Sequence, residues 1–441
     1  MPNSTLVVIG IIIAIAVIGG VVYTLSMSMQ KPTSPQSNNL SQSTTVSGAS
    51  STHFITSPTI PSSSSIMSVL ANISTFNTES VSQTFYNPSN GDIYVIVTNI
   101  TAGPGAVYIL NGTTLIKTLN ISLAPSAAVY SQNNGYIYIT NFGSNVVSVL
   151  SGTSLLKNVL TGNYPIDAVY DPANKYTYVI NYGVYAQHGT VSVLSGTSIV
   201  KNITVGYYPV SGIYDPSNGY IYVVNQGSDN ISIISGTSLI SNIRVGNEPT
   251  GDIIYDPSNK YIYVMNQLPG IVSILSGENI LANVTVSSDF GSNLTYNPVN
   301  GYVYVASANG TSSIIADTSI IDNLSFSFES AVYNPSNGYI YALDRNTNVV
   351  HILSGLSDIA NITVGEGPDY MIYDQAVNGV YVLNYNSGTA SVLSGSSLIR
   401  NISIGPRPYD GVYDPENSYV YVATVPGFSP SSTIHIYVLS S

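Results

Sequence analysis

Along most of this chain, apolar residues come in short bursts, and clusters of Gly, Pro, Asn, Asp or Ser interrupt them every eight to ten residues. The bursts are rich in Val, Ile and Tyr, which suit a pleated, half-buried surface, so they predict β-strands rather than helices. Residues Gly212 to Gly246 show one full unit. A first strand ends in the turn Asp215-Pro216-Ser217-Asn218-Gly219. Tyr220 to Asn225 form the second strand and Ile231 to Ile234 the third. After a turn at Ser235-Gly236-Thr237, Leu239 to Val245 form the fourth. Asn218-Gly219 is expected to supply both positive-φ positions of a type I′ hairpin, and Asn-Gly recurs at this point in six units. The middle strands are apolar on both faces, as in Tyr222-Val223-Val224 and Ile231-Ser232-Ile233-Ile234. A sheet covered on both sides by other sheets requires that.

The unit repeats. Its first tyrosine falls at Tyr86, Tyr130, Tyr170, Tyr214, Tyr255, Tyr296, Tyr333, Tyr373 and Tyr413, at spacings of 37 to 44 residues. A four-stranded propeller blade has that period. A sandwich or a row of small β domains is the competing arrangement, and the chain ends argue against it. The last unit stops after a third strand, Ile434 to Leu439. A lone strand, Val69-Leu70-Ala71-Asn72-Ile73-Ser74, precedes the first unit and matches Leu239 to Arg244. A strand from one end that completes the blade at the other closes a ring and removes a free edge. The chain is therefore expected to be all-β, with a single propeller over residues 66–441. About nine four-stranded blades are expected, and an eight-bladed ring with one degenerate unit is the alternative.

Tyr222 to Asn225 read YVVN, Tyr178 to Asn181 YVIN, Tyr263 to Asn266 YVMN, Tyr138 to Asn141 YITN and Tyr381 to Asn384 YVLN. These phrases resemble the YVTN family of β-propeller repeats, and the resemblance covers nearly all of residues 66–441. It implies the propeller fold and a place among archaeal and bacterial surface-layer and secreted proteins. Because that group has mixed roles, it implies no particular activity. YVAS at Tyr304 to Ser307, YALD at Tyr341 to Asp344 and YVAT at Tyr421 to Thr424 depart from the pattern, so their blades are expected to be less regular.

Leu6 to Leu25 form twenty residues without a charge, about the length that spans a bilayer as a helix. No basic residue precedes them and no clear small-residue cleavage site follows, so residues 1–30 are expected to be an uncleaved transmembrane anchor. Residues 31–65 are Ser/Thr-rich and lack the apolar surface to fold, as in an extended stalk. Glycosylation sequons follow at Asn39, Asn72, Asn99, Asn111, Asn120, Asn202, Asn230, Asn283, Asn293, Asn309, Asn323, Asn361 and Asn401. Their density points to a propeller outside the cell membrane. The competing reading is that Asn-Ile-Thr/Ser is simply the repeat's outer-strand sequence.

Composition narrows the chemistry. The chain carries 22 acids and 10 bases, a net charge of -12, which argues against nucleic-acid binding. Cysteine is absent, which excludes thiol catalysis and cysteine zinc sites. His53, His188, His351 and His435 lie far apart without metal-ligand spacing. The recurrent acids Asp171, Asp215, Asp256 and Asp414 stand before a proline, where they are expected to cap the turn, as do Asn87, Asn297 and Asn334. Asp167, Asp252 and Asp410 lie three residues before the repeat tyrosine, and Asp369 lies four before. They are expected at one mouth of a central channel, where converging carboxylates could hold Ca²⁺ or a polyhydroxylated glycan. Gln83, Ala127, Ser211, Asn293 and Ser330 interrupt that ring of charge.

No motif amounts to an active site. The leading expectation is a non-catalytic surface propeller for recognition, adhesion or cell-envelope interaction, with a surface protein or glycan as partner. The alternatives are an extracellular propeller lyase, lactonase or hydrolase working at the channel mouth, and a binding or sensor component of an envelope complex. With only 7% charged residues, the fold is also expected to lose little stability in acid.

Overall fold

The computed structural model describes residues 67–441 apart from 78, 100–102, 288–292, 309 and 426–432. The expected anchor (1–30) and stalk (31–65), together with Asn39, His53 and Asn309, lie outside the described residues. Among the described residues the one helical element is the 3-10 turn Gln226–Ser228, and no helix is long and apolar enough to cross a membrane.

Nine four-stranded antiparallel sheets form, each from strands consecutive in sequence except the last. Their innermost strands are Glu79–Tyr86, Pro125–Ser131, Pro165–Asp171, Pro209–Asp215, Asn247–Asp256, Leu294–Asn297, Ser330–Asn334, Pro368–Asp374 and Pro408–Asp414, which define blades 1 to 9. Each innermost strand packs against that of the next blade, and blade 9 packs against blade 1, so the circle is complete. This settles the count at nine rather than eight. The closing strand is the expected one: Val69–Asn77 pairs with Thr433–Ser440 in the sheet of blade 9, with Asn72 opposite Tyr437.

The YVTN-like phrase has a mechanical reading. Its tyrosine is fully buried between blades, and its hydroxyl reaches across to the hairpin of the following blade. Tyr222 Oη accepts from Asn218 Nδ2 at 3.0 Å and donates to the Gly277 carbonyl at 3.1 Å. Tyr421 makes the same bond from blade 9 to Gly112 of blade 1, at 2.9 Å, and so rivets the ring shut. The asparagine works within its own blade. Asn225 Nδ2 donates to Ser232 Oγ at 2.9 Å, and Ser232 Oγ donates to Asn242 Oδ1 at 2.6 Å, a relay across three strands. Where Ser307, Asp344 and Thr424 replace the asparagine, all four strands still form. Blade 6 is shortened throughout, to strands of four and five residues, and blade 7 in its innermost strand, to five. Tyr222→Phe leaves Asn218 and the Gly277 carbonyl without this partner. It is expected to cost about 1–2 kcal/mol in a denaturant titration, and no measurable loss would show that the rivet is dispensable.

The first turn differs from the type I′ expectation. Gly219 N–H bonds the Asp215 carbonyl at 2.9 Å across a four-residue loop, and only Gly219, not Asn218, has positive φ (76°). In blade 8 the Asn-Gly pair is out of step: Asn378 takes the left-handed position and Gly379 begins the next strand. The caps behave as expected, with Asp215 Oδ1 accepting from Ser217 N–H at 2.8 Å and Asn334 Oδ1 from Ser336 N–H at 2.9 Å. A side-chain acceptor two residues back supports one type I-like loop, whereas a two-residue turn would leave it nothing to cap.

Candidate functional site

Strand order places the first-to-second turns of all nine blades, and the third-to-fourth turns of blades 1 to 8, at one end of the ring. The second-to-third turns and the blade-to-blade connections lie at the other end. The first end repeats nearly the same Asp-Pro-Ser-Asn-Gly and Ser-Gly chemistry. The second end varies from blade to blade, and there the predicted acids also lie.

Those acids are placed differently from one another. Asp167 is buried; its Oδ1 accepts from Ala168 N–H at 2.7 Å and its Oδ2 from Gly212 N–H, in the next blade, at 3.2 Å. Asp410 is likewise buried and bonds Thr84 N–H of blade 1 at 2.6 Å and Gly411 N–H at 2.9 Å. Asp252 is buried with a single weak partner, Thr250 Oγ1 at 3.4 Å, and its Oδ1 has no partner. Burial pushes the Asp167 and Asp252 carboxyls up to about 7 and that of Asp410 up to about 6. Asp369 pairs with Arg345 of the preceding blade. Among the described residues no three acidic or histidine side chains converge as metal ligands.

Two of the interrupting residues do the same work as Asp167 and Asp410. Gln83 Oε1 accepts from Ala128 N–H of blade 2 at 2.7 Å, and Ser211 Oγ donates to the Gly251 carbonyl of blade 5 at 2.6 Å. In these four blades the position is a staple between neighbouring innermost strands, made by whichever side chain bonds the next backbone. The mixture of Asp, Gln and Ser at this position was the signal of that role in the sequence.

Sequence reasoning missed the residues just before the inner-strand prolines. Ala124, Tyr164, Tyr208, Glu248 and Arg407 all have positive φ, from 48° to 57°, immediately before Pro125, Pro165, Pro209, Pro249 and Pro408. Bulky residues rarely adopt that conformation, and a following proline disfavours α-type conformations further, so strain is held here. Three of the long side chains meet a residue from the preceding blade. Phe142 lies 4.9 Å from the Tyr164 ring, Tyr182 stacks on Tyr208 at 5.0 Å, and Arg407 sits over Tyr385 at 5.9 Å. Gly227 lets Tyr208 close in, since a Cβ there would strike its ring.

The variable face thus has two sectors. Blades 2 to 4 carry Phe142, Tyr164, Tyr182 and Tyr208, extended by His188 stacked on Tyr207 at 4.2 Å and by Tyr185, which is 90% exposed. The Ala186 N–H donates to Tyr208 Oη at 3.3 Å and holds the loop bearing Tyr185 beside the column. Blades 7 to 9 carry the Arg345–Asp369 pair, Arg407, and Glu329, whose carboxylate accepts from Arg345 N–H at 2.8 Å. Flat aromatic faces with polar rims suit stacking against sugar rings or protein side chains.

No family model matches the chain, and no curated protein matches it. Among solved structures, the dihydro-heme d1 dehydrogenase NirN in complex with DHE superposes at a TM-score of 0.55 and 12% identity, covering 75% of this chain and 78% of that one. The hydrazine synthase of Kuenenia stuttgartiensis covers 82% of this chain and 96% of that one, at 15% identity and a TM-score of 0.43. The likeness to the former is one of fold: this chain is a β-propeller protein.

Proposed function

We propose that this chain is a non-catalytic recognition propeller of the YVTN type. On this reading residues 6–25 anchor it in the cell membrane, and it stands outside the cell, where it binds a surface glycan or protein in adhesion or cell-envelope interaction. The observation that carries the reading is the contrast between the two ends of the ring. One end repeats a single chemistry, while the other gathers exposed and strained aromatic side chains in one sector. Strain held away from any catalytic constellation points to a binding surface. A catalytic reading needs a proton-transfer group open to substrate, and the oxygens of Asp167 and Asp410 are taken up by backbone N–H groups.

Glycan-array and whole-cell binding with the full chain tests it. Tyr185→Ser is expected to weaken binding about ten-fold, since a single aromatic anchor contributes on the order of 1–3 kcal/mol, with an unchanged melting temperature. Binding that ignores Tyr185 while depending on the repeated turns of the opposite end would place the ligand elsewhere.

A further inference from the structure

All nine outermost strands skip one residue in their pairing, and in every case that residue is aliphatic and between 39% and 53% exposed. In blade 5 it is Leu281, passed over between Ile280, opposite Leu275, and Ala282, opposite Ile274. Ile321 and Ile399 hold the same place in blades 6 and 8. A bulge re-aims its side chain, and here it aims a belt of apolar groups at solvent around the rim. One aliphatic side chain per blade therefore stands half-exposed on the rim, where a group attached beside it would cover it.

What stands beside the belt identifies the cover. Two residues on, along the same exposed edge of the strand, lie Asn283, Asn323 and Asn401, followed after two more residues by the exposed Thr285, Ser325 and Ser403. Their amide oxygens are held from behind: Ser273 Oγ donates to Asn283 Oδ1 at 2.7 Å, Ser313 Oγ to Asn323 at 2.8 Å and Ser391 Oγ to Asn401 at 2.7 Å. With the oxygen held, the amide nitrogen is the branch turned toward solvent. Three other sequons lack this arrangement. Asn111 spends its Nδ2 on Asp92 at 2.9 Å, Asn361 turns its amide nitrogen to the Asp358 carboxylate, and Asn293 is only 6% exposed.

We propose that Asn283, Asn323 and Asn401 carry N-linked glycans whose first sugars lie over Leu281, Ile321 and Ile399. The apolar faces of those sugars cover the belt and leave both ends of the ring open. The donor is a glycosyl diphosphate carried on a lipid. A bond forms from the asparagine Nδ2 to the anomeric carbon, the carbon–oxygen bond to the diphosphate breaks, the lipid diphosphate leaves, and the amide proton passes to the transferase or solvent. The proposal rests on the exterior placement argued above.

Two measurements on the full chain from its own cells test it: proteolysis of intact cells, and glycopeptide mapping by mass spectrometry. Glycans at Asn283, Asn323 and Asn401 with none at Asn111, Asn293 or Asn361 are expected. Stripping them should raise binding of an apolar dye about two-fold, an increase absent when Leu281, Ile321 and Ile399 are all serine. A chain digested on intact cells yet bare at the three asparagines overturns this inference and leaves the recognition reading standing. A chain that intact cells protect, and that is bare, overturns both. Equal occupancy at Asn111 and Asn361 overturns the orientation argument.

Discussion

A chain beginning at residue 79 is expected to melt far below the full-length protein and to aggregate, whereas one beginning at residue 67 should melt within about 2 °C of it. Both truncations remove the expected anchor and stalk, and they differ only in the closing strand. Val69–Asn77 supplies the outer ladder of blade 9, with Val69 opposite Leu439, Ile73 opposite Ile436 and Asn72 opposite Tyr437. It covers a strand in which Ile434, Ile436 and Val438 are fully buried. It also runs on directly into blade 1, so it is the covalent tie across the one junction that the chain does not otherwise bridge. Losing a ladder of backbone bonds at about 1 kcal/mol each, together with partly buried Ile73 and Ala71, costs on the order of 5–10 kcal/mol. The exposed edge of Thr433–Ser440 would then pair with other chains. Thermal melts and light scattering of the two truncations decide the matter, and equal melting would mean the ring holds without its clasp.

Acid is expected to stabilise this protein. The carboxyls of Asp167 and Asp252, near 7 in the fold, and of Asp410, near 6, all lie above the ordinary aspartate value of 3.8, because burial disfavours their ionised form. The folded chain therefore holds protons that the unfolded chain releases between about pH 4 and pH 7. Stability from these groups is fully present below pH 3.8 and is lost as pH rises through 6 to 7. A carboxyl held near 7 instead of 3.8 corresponds to at most about 4 kcal/mol once ionised, and relaxation and water entry at the ionised site cut this by about half, so a combined gain on the order of 5 kcal/mol is expected between pH 8 and pH 4. Asp252→Asn isolates one contribution, since its Oδ1 has no partner to lose. That variant should be about 2 kcal/mol more stable than the parent at pH 8 and nearly equal to it at pH 4. A stability that falls from pH 7 to pH 4, or a parent profile unchanged by the substitution, would show these carboxyls to be ionised in the fold. Low overall charge predicts only indifference to acid; the gain comes from where three particular aspartates lie.

Local signals carried much of the architecture. The tyrosine spacing gave the blade, and the stray strand Val69 to Ser74 gave the closure. The Asp-Pro turns gave their own caps, because each signal acts within a few residues or repeats at a fixed interval. The type I′ expectation failed for a local reason too: the cap at Asp215 stabilises the longer loop, which needs only one left-handed residue. The candidate site was far less legible. Tyr164, Tyr208 and Arg407 differ in type and sit in short connections, and their strain depends on a proline that sequence alone marks only as a strand start. Their partners Phe142, Tyr182 and Tyr385 come from the preceding blade.

The amino-acid sequence by itself determined the strand unit, its repetition and the means of closing the ring, since hydrophobic pattern and turn chemistry act along the chain. Tertiary structure alone decided what the recurring polar groups do. Asp167 and Asp410 became staples to a neighbouring backbone, Tyr222 a rivet to the next hairpin, and Leu281 an outward-facing bulge, because burial and partnership arise between blades. A carboxylate reads the same in sequence whether it faces a channel or an amide, and only the neighbouring strand distinguishes the two.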